Sequence, residues 1–354
     1  MRNALRPRVE WLLVLGPVAV IGRYVVDSDP LVFFTAAGAI VPLAGLIGRS
    51  TDQLAKHAGP RIGGLLNATF GNVTELIIAI LLVRQGELEI VKASLTGSIL
   101  GNLLLVLGLS FFVGGLRNEE QTFSAATASV HTSSLMLAVI GLLMPALFVL
   151  TTGQHTFVVR EVVSGTVAGV LILLYVCALV FTLVTHEHLF HVAGDDEPAS
   201  WSVRSAILVL LAATVAVAYL SELLVGAMES TLHSLGLSRF FVGLILVPII
   251  GNAAEHSTAM LFALRDKLDV TLEIAIGSSL QIALFVAPAL VFISLALGHP
   301  MNFVFSPFEI AAVGGATLIV ALISRDGRSN WLEGAQLIAT YVIVGISFFF
   351  VRSL

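Results

Sequence analysis

Gly71-Asn72-Val73-Thr74-Glu75 sets an amide and a carboxylate inside a run otherwise as apolar as a lipid tail, and the pattern returns as Gly251-Asn252-Ala253-Ala254-Glu255. An ionisable side chain at membrane depth points to function, because its charge is costly to bury unless something uses it. Glu75 and Glu255 stand 180 positions apart, as do Gly97 and Gly277, Ser98 and Ser278, Leu88 and Leu268, Leu100 and Leu280, and Val106 and Val286. So many matches at one offset describe an internal repeat.

The surrounding chain is that of a membrane protein. Hydrophobic residues make up 57% and charged residues 12%, about half the charge of a soluble domain. With no long polar domain, the net charge of −5 carries no argument for nucleic acid. The lone Cys177 lies in an apolar run, where it forms no internal disulfide and reads as a packing residue. Arg2, Arg6 and Arg8 precede the first apolar run, yet no small-x-small cleavage site follows, so an uncleaved first span is expected.

Eleven runs are long enough to cross a ~30 Å hydrocarbon layer: 9–26, 31–48, 62–83, 88–115, 123–148, 159–185, 202–224, 239–263, 268–296, 305–323 and 331–351. They are too long and continuous for barrel strands, so the expected fold is an all-α polytopic membrane bundle. Pro42 is expected to interrupt the second run. Twelve Lys and Arg residues fall on the N-terminal side and six on the other, which puts the N-terminus in the cytoplasm and the C-terminus outside. Spans two to six then match spans seven to eleven. Five is odd, so matching helices cross in opposite directions, an inverted repeat of the kind that builds secondary transporters. Residues 1–30 form an N-terminal helix, 31–185 the first repeat, 186–200 a polar linker and 201–354 the second repeat. Glu75 lies about 13 residues into its span and Glu255 about 16, ~20 and ~24 Å from opposite faces. The two carboxylates overlap in depth.

The residue types suit a hard divalent cation. Ca²⁺ takes six to eight oxygens, of which two glutamates supply at most four. Asn72 and Asn252 precede their glutamates by three positions and share their helix faces. Ser98 with Asn102, and Ser278 with Gln281, offer further neutral oxygens on the following spans, although the offset partner of Asn102 is Ile282. The neutral groups serve equally as interhelical hydrogen-bonding glue. No cysteine cluster or close histidine pair accompanies the glutamates, which argues against zinc. Two close carboxylates raise each other's pKa, so protons compete with the cation for the same oxygens. Gly71, Gly251 and Pro248 either loosen the helices to free carbonyls or, for the glycines, admit close packing. His256 faces about 100° from Glu255 and, with Asn102, is an accessory candidate. Asp52 and Glu222 lie near span ends, at the interface or a pore mouth. In the linker, His186, His188 and His191 precede Asp195-Asp196-Glu197, which is either a solvated connector or a cation-attracting segment.

The runs Gly71 to Ala79 and Gly251 to His256 resemble the two signature repeats of calcium/proton exchangers, the CAX branch of the calcium:cation antiporter superfamily. Ser94-Leu95-Thr96-Gly97-Ser98-Ile99-Leu100-Gly101-Asn102 and Gly277-Ser278-Ser279-Leu280-Gln281-Ile282 fit that family too, and the likeness covers nearly the whole chain. Val73 stands where alanine is commoner. The resemblance implies a transporter, not an enzyme, that exchanges Ca²⁺ for H⁺ across the lipid bilayer of a prokaryotic cell membrane without a cofactor. It makes Glu75 and Glu255 the alternating Ca²⁺ and proton sites, lined by Asn72, Asn252, Ser98, Ser278 and Gln281. Sodium-coupled calcium exchange and a divalent cation channel are the alternatives. Selectivity against Mn²⁺, stoichiometry and assembly as a homo-oligomer are left open by the residues.

Overall fold

The computed structural model describes residues 9–153, 156–186 and 198–350. His188, His191 and the acidic residues 195–197 of the linker lie outside the described residues. Among the described residues, ten helices are long and apolar enough to cross a membrane: α1 (Val9–Val26), α2 (Asp29–Ala58), α3 (Ile62–Arg84), α4 (Leu88–Arg117), α5 (Ala125–Thr152), α6 (Phe157–Thr185), α7 (Val203–Gly226), α9 (Arg239–Leu264), α10 (Leu268–Ala296) and α12 (Trp331–Phe350). The shorter apolar α11 (Pro307–Ile323) and a one-sided eight-residue helix, α8 (Met228–Leu235), complete the set. Pro42 lies inside the unbroken α2, contrary to expectation. Membrane helices tolerate proline where neighbouring groups serve the freed carbonyl.

The chain packs as two compact units. The first comprises Met1–Leu81, Ala199–Leu237 and Ile250–Ala254. In it α2 lies along α7, and Gly16 of α1 admits both Ala39 and Leu220, each 3.8 Å from where its Cβ would stand. The chain leaving the linker is anchored here. Gln53 Oε1 accepts from the backbone N–H groups of Ser200 (2.7 Å) and Trp201 (3.0 Å), while His57 Nε2 donates to Trp201 O at 2.7 Å.

The second unit comprises Leu82–Pro198, Ser238–Ile249 and Glu255–Leu354. Its loops gather at two ends, as alternating spans require. At one end Arg239 pairs with Glu87 at 3.1 Å, and Lys92 Nζ donates to Asn302 Oδ1 at 2.9 Å and Val304 O at 3.1 Å. At the other, β1 (Gln121–Thr122) pairs antiparallel with β2 (Arg328–Ser329). There Gln121 Nε2 also donates to Ala263 O and Asp266 Oδ1, at 2.9 and 2.8 Å.

Local backbone geometry recurs at the offset seen in the sequence. Gln85, Gly86 and Glu87 donate to the carbonyls of Leu82, Val83 and Leu82, while Arg265, Asp266 and Lys267 donate to those of Phe262, Ala263 and Phe262. The central residue of each turn is left-handed, Gly86 at φ 79° and Asp266 at φ 60°. Glycine adopts this region freely, and aspartate is among the few other residues that do so without large strain. Wide π turns also recur, at Gly101–Val106 in α4 and Ile282–Val286 in α10. Such turns add a residue to a helix and cluster at functional sites.

Helix α12 approaches α4 through glycine. A Cβ at Gly334 would stand 2.7 Å from both Gly108 O and Phe112 Cα. Gly334→Ala should therefore cost about 1–3 kcal/mol by forcing the backbones apart, lowering the Tm of the detergent-purified protein. Gly169→Ala, with no atom within 4 Å of its Cβ position, should leave Tm unchanged.

Candidate ion-binding site

In the first unit Glu75 is buried at 7% exposure, together with Asn72, Thr74 and Asn252. Helix α3 loosens at Gly71–Asn72, between its segments Pro60–Phe70 and Val73–Arg84, although Gly71 itself stays right-handed at φ −55° and ψ −46°. Gly251 behaves differently. It lies within a regular stretch of α9, and the irregular part is the π turn Val242–Leu246 before it. What Gly251 provides is room: a Cβ there would stand 3.0 Å from Glu75 Cγ and 3.1 Å from its Cδ and Oε1. The first signature stretch thus rests its carboxyl group on the backbone of the second.

In the second unit Ser278 ties three helices together. Asn102 Nδ2 of α4 donates to Ser278 Oγ of α10 at 3.2 Å, and the Ser278 hydroxyl hydrogen-bonds the Glu255 carboxyl group of α9. Asn102, which the repeat offset left without a counterpart, is drawn in by this crossing. Glu255 Oε2 is sealed from solvent and has no hydrogen-bond partner among the described residues. His256 Nε2 is likewise buried and unpartnered among them. Ser98 is buried on α4, and Gln281 ends the short α turn Ser278–Gln281 that stands between the π turns Glu273–Gly277 and Ile282–Val286. Two widened turns flanking one short α turn set the directions of Ser278 and Gln281.

Close backbone contact fixes α4 against α9. A Cβ at Gly97, next to Ser98, would stand 2.6 Å from Leu244 C, and one at Gly243 would stand 2.8 Å from Ile90 O. Asn252 and Glu255, three apart on one regular helix, share a face. Among the described residues no three His, Cys, Asp or Glu side chains group to hold a metal ion. A hard cation held by a single carboxylate would complete its shell with neutral oxygens.

Polar groups absent from the sequence-derived set also appear. Thr96 Oγ1 donates to Glu309 Oε1 at 3.1 Å, and Glu309 caps α11 in a box with Ser306. That box was legible as Ser306-Pro307-Phe308-Glu309. His131 pairs with Glu273 across 142 positions of chain, which no local pattern announces.

Gly251→Ala is the sharpest probe of this geometry. It adds one methyl group against the Glu75 carboxyl and should weaken divalent cation binding at least about tenfold, ~1.4 kcal/mol, in isotope-binding assays. The Tm should change little, because the clash falls on the end of a side chain.

The sodium/calcium exchanger protein family model matches residues 28–184 and 205–350. A protein from Synechocystis sp. named Ca(2+)/H(+) antiporter is 47% identical over 96% of this chain and 96% of its own length. Bacillus subtilis Ca(2+)/H(+) antiporter ChaA is 45% identical over 97% and 99%. The solved structure of native YfkE superposes with a TM-score of 0.86 at 42% identity, covering 97% of this chain and all of that one. A match this extensive, spanning both signature stretches, makes the chain a member of the sodium/calcium exchanger protein family.

Proposed function

We propose that this integral membrane protein is a secondary transporter that exchanges Ca²⁺ for H⁺, with Glu75 and Glu255 as its alternating cation and proton sites. The observation that carries the assignment is Glu255 Oε2, a buried carboxylate oxygen without a partner among the described residues. A buried unsatisfied acceptor is costly unless a proton or a cation takes it. Glu75, pressed on Gly251 one helical turn before Glu255, gives the second carboxylate a defined seat. Asn72, Asn252, Ser98, Ser278 and Gln281 contribute neutral oxygens, with Asn102 orienting Ser278. Relatives named Ca²⁺/H⁺ antiporters favour the proton over sodium as the coupling ion.

The architecture that suits this function is one N-terminal helix followed by two inverted five-helix repeats, eleven spans in all. Support comes from the turns at 82–87 and 262–267, which repeat hydrogen bond for hydrogen bond. With α11 counted as a span the termini fall on opposite faces, and the excess of Lys and Arg on the N-terminal side supports a cytoplasmic N-terminus and an outer C-terminus in the cell membrane of a prokaryote. Protons running inward then drive Ca²⁺ outward by alternating access.

Everted vesicles given an acid interior should accumulate Ca²⁺, whereas a sodium gradient should drive none. Glu75→Gln and Glu255→Gln should each abolish accumulation. Normal uptake by either variant would overturn the site assignment, and uptake driven by sodium alone would overturn the coupling.

A further inference from the structure

Glu273 and His131 stand outside the proposed cation site, yet both are ionisable groups inside the second unit. Glu273 Oε2 lies 2.9 Å from His131 Nε2. His131 is buried on α5, whereas 51% of the Glu273 side chain is accessible. The pair thus joins a buried imidazole to a half-accessible carboxylate. Each is within hydrogen-bonding distance of the other.

The position of the pair along α10 is informative. One turn nearer the Arg265–Lys267 end, the Asp269 carboxylate is engaged, accepting from the Ser124 backbone N–H at 2.7 Å. In the other direction Glu273 opens the π turn Glu273–Gly277, which runs directly into Ser278. Gly277 puts no side chain over the acid, since a Cβ there would stand 3.6 Å from Glu273 Oε1. Ser278 in turn joins Asn102 and Glu255. Five residues of helix, ~7.5 Å at the α-helical rise, separate the pair from that junction, a distance of the size that one or two bridging waters cover in proteins. A carboxylate with one imidazole is a poor cage for a hard cation, which wants six or more oxygens. It is well suited to taking up and releasing a proton, as Asp, Glu and His chains do in pumps.

We propose that the Glu273–His131 pair is a proton-transfer station of the exchanger, receiving the proton that leaves Glu255 and releasing it, through the accessible Glu273 carboxylate, to water at the Arg265–Lys267 end. One O–H bond at Glu255 breaks and one O–H or N–H bond at the pair forms. Glu255 is left as the carboxylate that accepts the cation, and the pair returns to its starting state when the proton passes to water. The inference rests on the Ca²⁺/H⁺ reading above.

Two fluxes test it in proteoliposomes: proton-driven Ca²⁺ uptake and Ca²⁺/Ca²⁺ self-exchange, which requires no net proton transfer. Glu273→Gln and His131→Gln should each lower proton-driven uptake at least about tenfold, while self-exchange and apparent Ca²⁺ affinity stay at the wild-type level. Retention of both fluxes would overturn the proposal. Loss of both in a variant with wild-type Tm would also overturn it, making the pair part of the cation site or its scaffold. Should either substitution prevent folding, Glu273→Asp, which keeps the acid but lengthens the 2.9 Å contact, is judged by the same two fluxes. The wild-type arm keeps the two readings apart: absence of proton-driven uptake there defeats the Ca²⁺/H⁺ assignment itself, whereas loss confined to the variants concerns the pair alone.

Discussion

A carboxylate held where a lipid bilayer excludes water must be neutralised, and the arrangement around Glu75 and Glu255 answers to that requirement. Leaving one such charge uncompensated costs several kcal/mol, and two of like sign cost more. On the proposed assignment, a proton on each group or a bound divalent cation relieves this. Both remedies use the same oxygens, so they exclude each other. On this account the coupling of exchange follows from electrostatics: a doubly charged, empty site is too costly to reorient, so the transporter turns over loaded with one substrate or the other.

Close helix packing fixes the groups around the two carboxylates. Gly251 lets Glu75 lie against the second signature helix, and Gly97 and Gly243 let α4 and α9 approach to backbone contact. Neutral oxygens come from crossings between helices, as when Ser278 accepts from Asn102 while donating to Glu255. Sites built on packed helices hold their geometry better than sites on loops. The π turns flanking Ser278–Gln281 are the exception to helical regularity, and they fall where side-chain direction matters most.

Much of this was legible in the residues, for identifiable reasons. A repeat is written in covalent order, so the 180-residue offset joining Glu75 to Glu255 needed no coordinates, and the matching turns at Gly86 and Asp266 follow the same count. Ser278, chosen for both chemistry and offset, lies in the structure against the Glu255 carboxyl group. Asn102 was legible only as an accessory candidate, because its offset counterpart is Ile282 and its bond to Ser278 comes from α4 crossing α10. His131 and Glu273 were invisible for the same reason, since pairing across 142 residues is settled by packing. Pro42 misled in the other direction. A proline reads as a break when the surrounding helices that accommodate it are not yet known.

The central claim is that cation and proton compete for the same carboxyl oxygens. Its most direct test is the number of protons released when Ca²⁺ binds to the purified protein, read with a pH indicator in weakly buffered solution near neutral pH. Release of about two protons per bound Ca²⁺ is predicted, because both carboxyl groups must deprotonate to receive it. Saturable Ca²⁺ binding with no proton release would contradict the account.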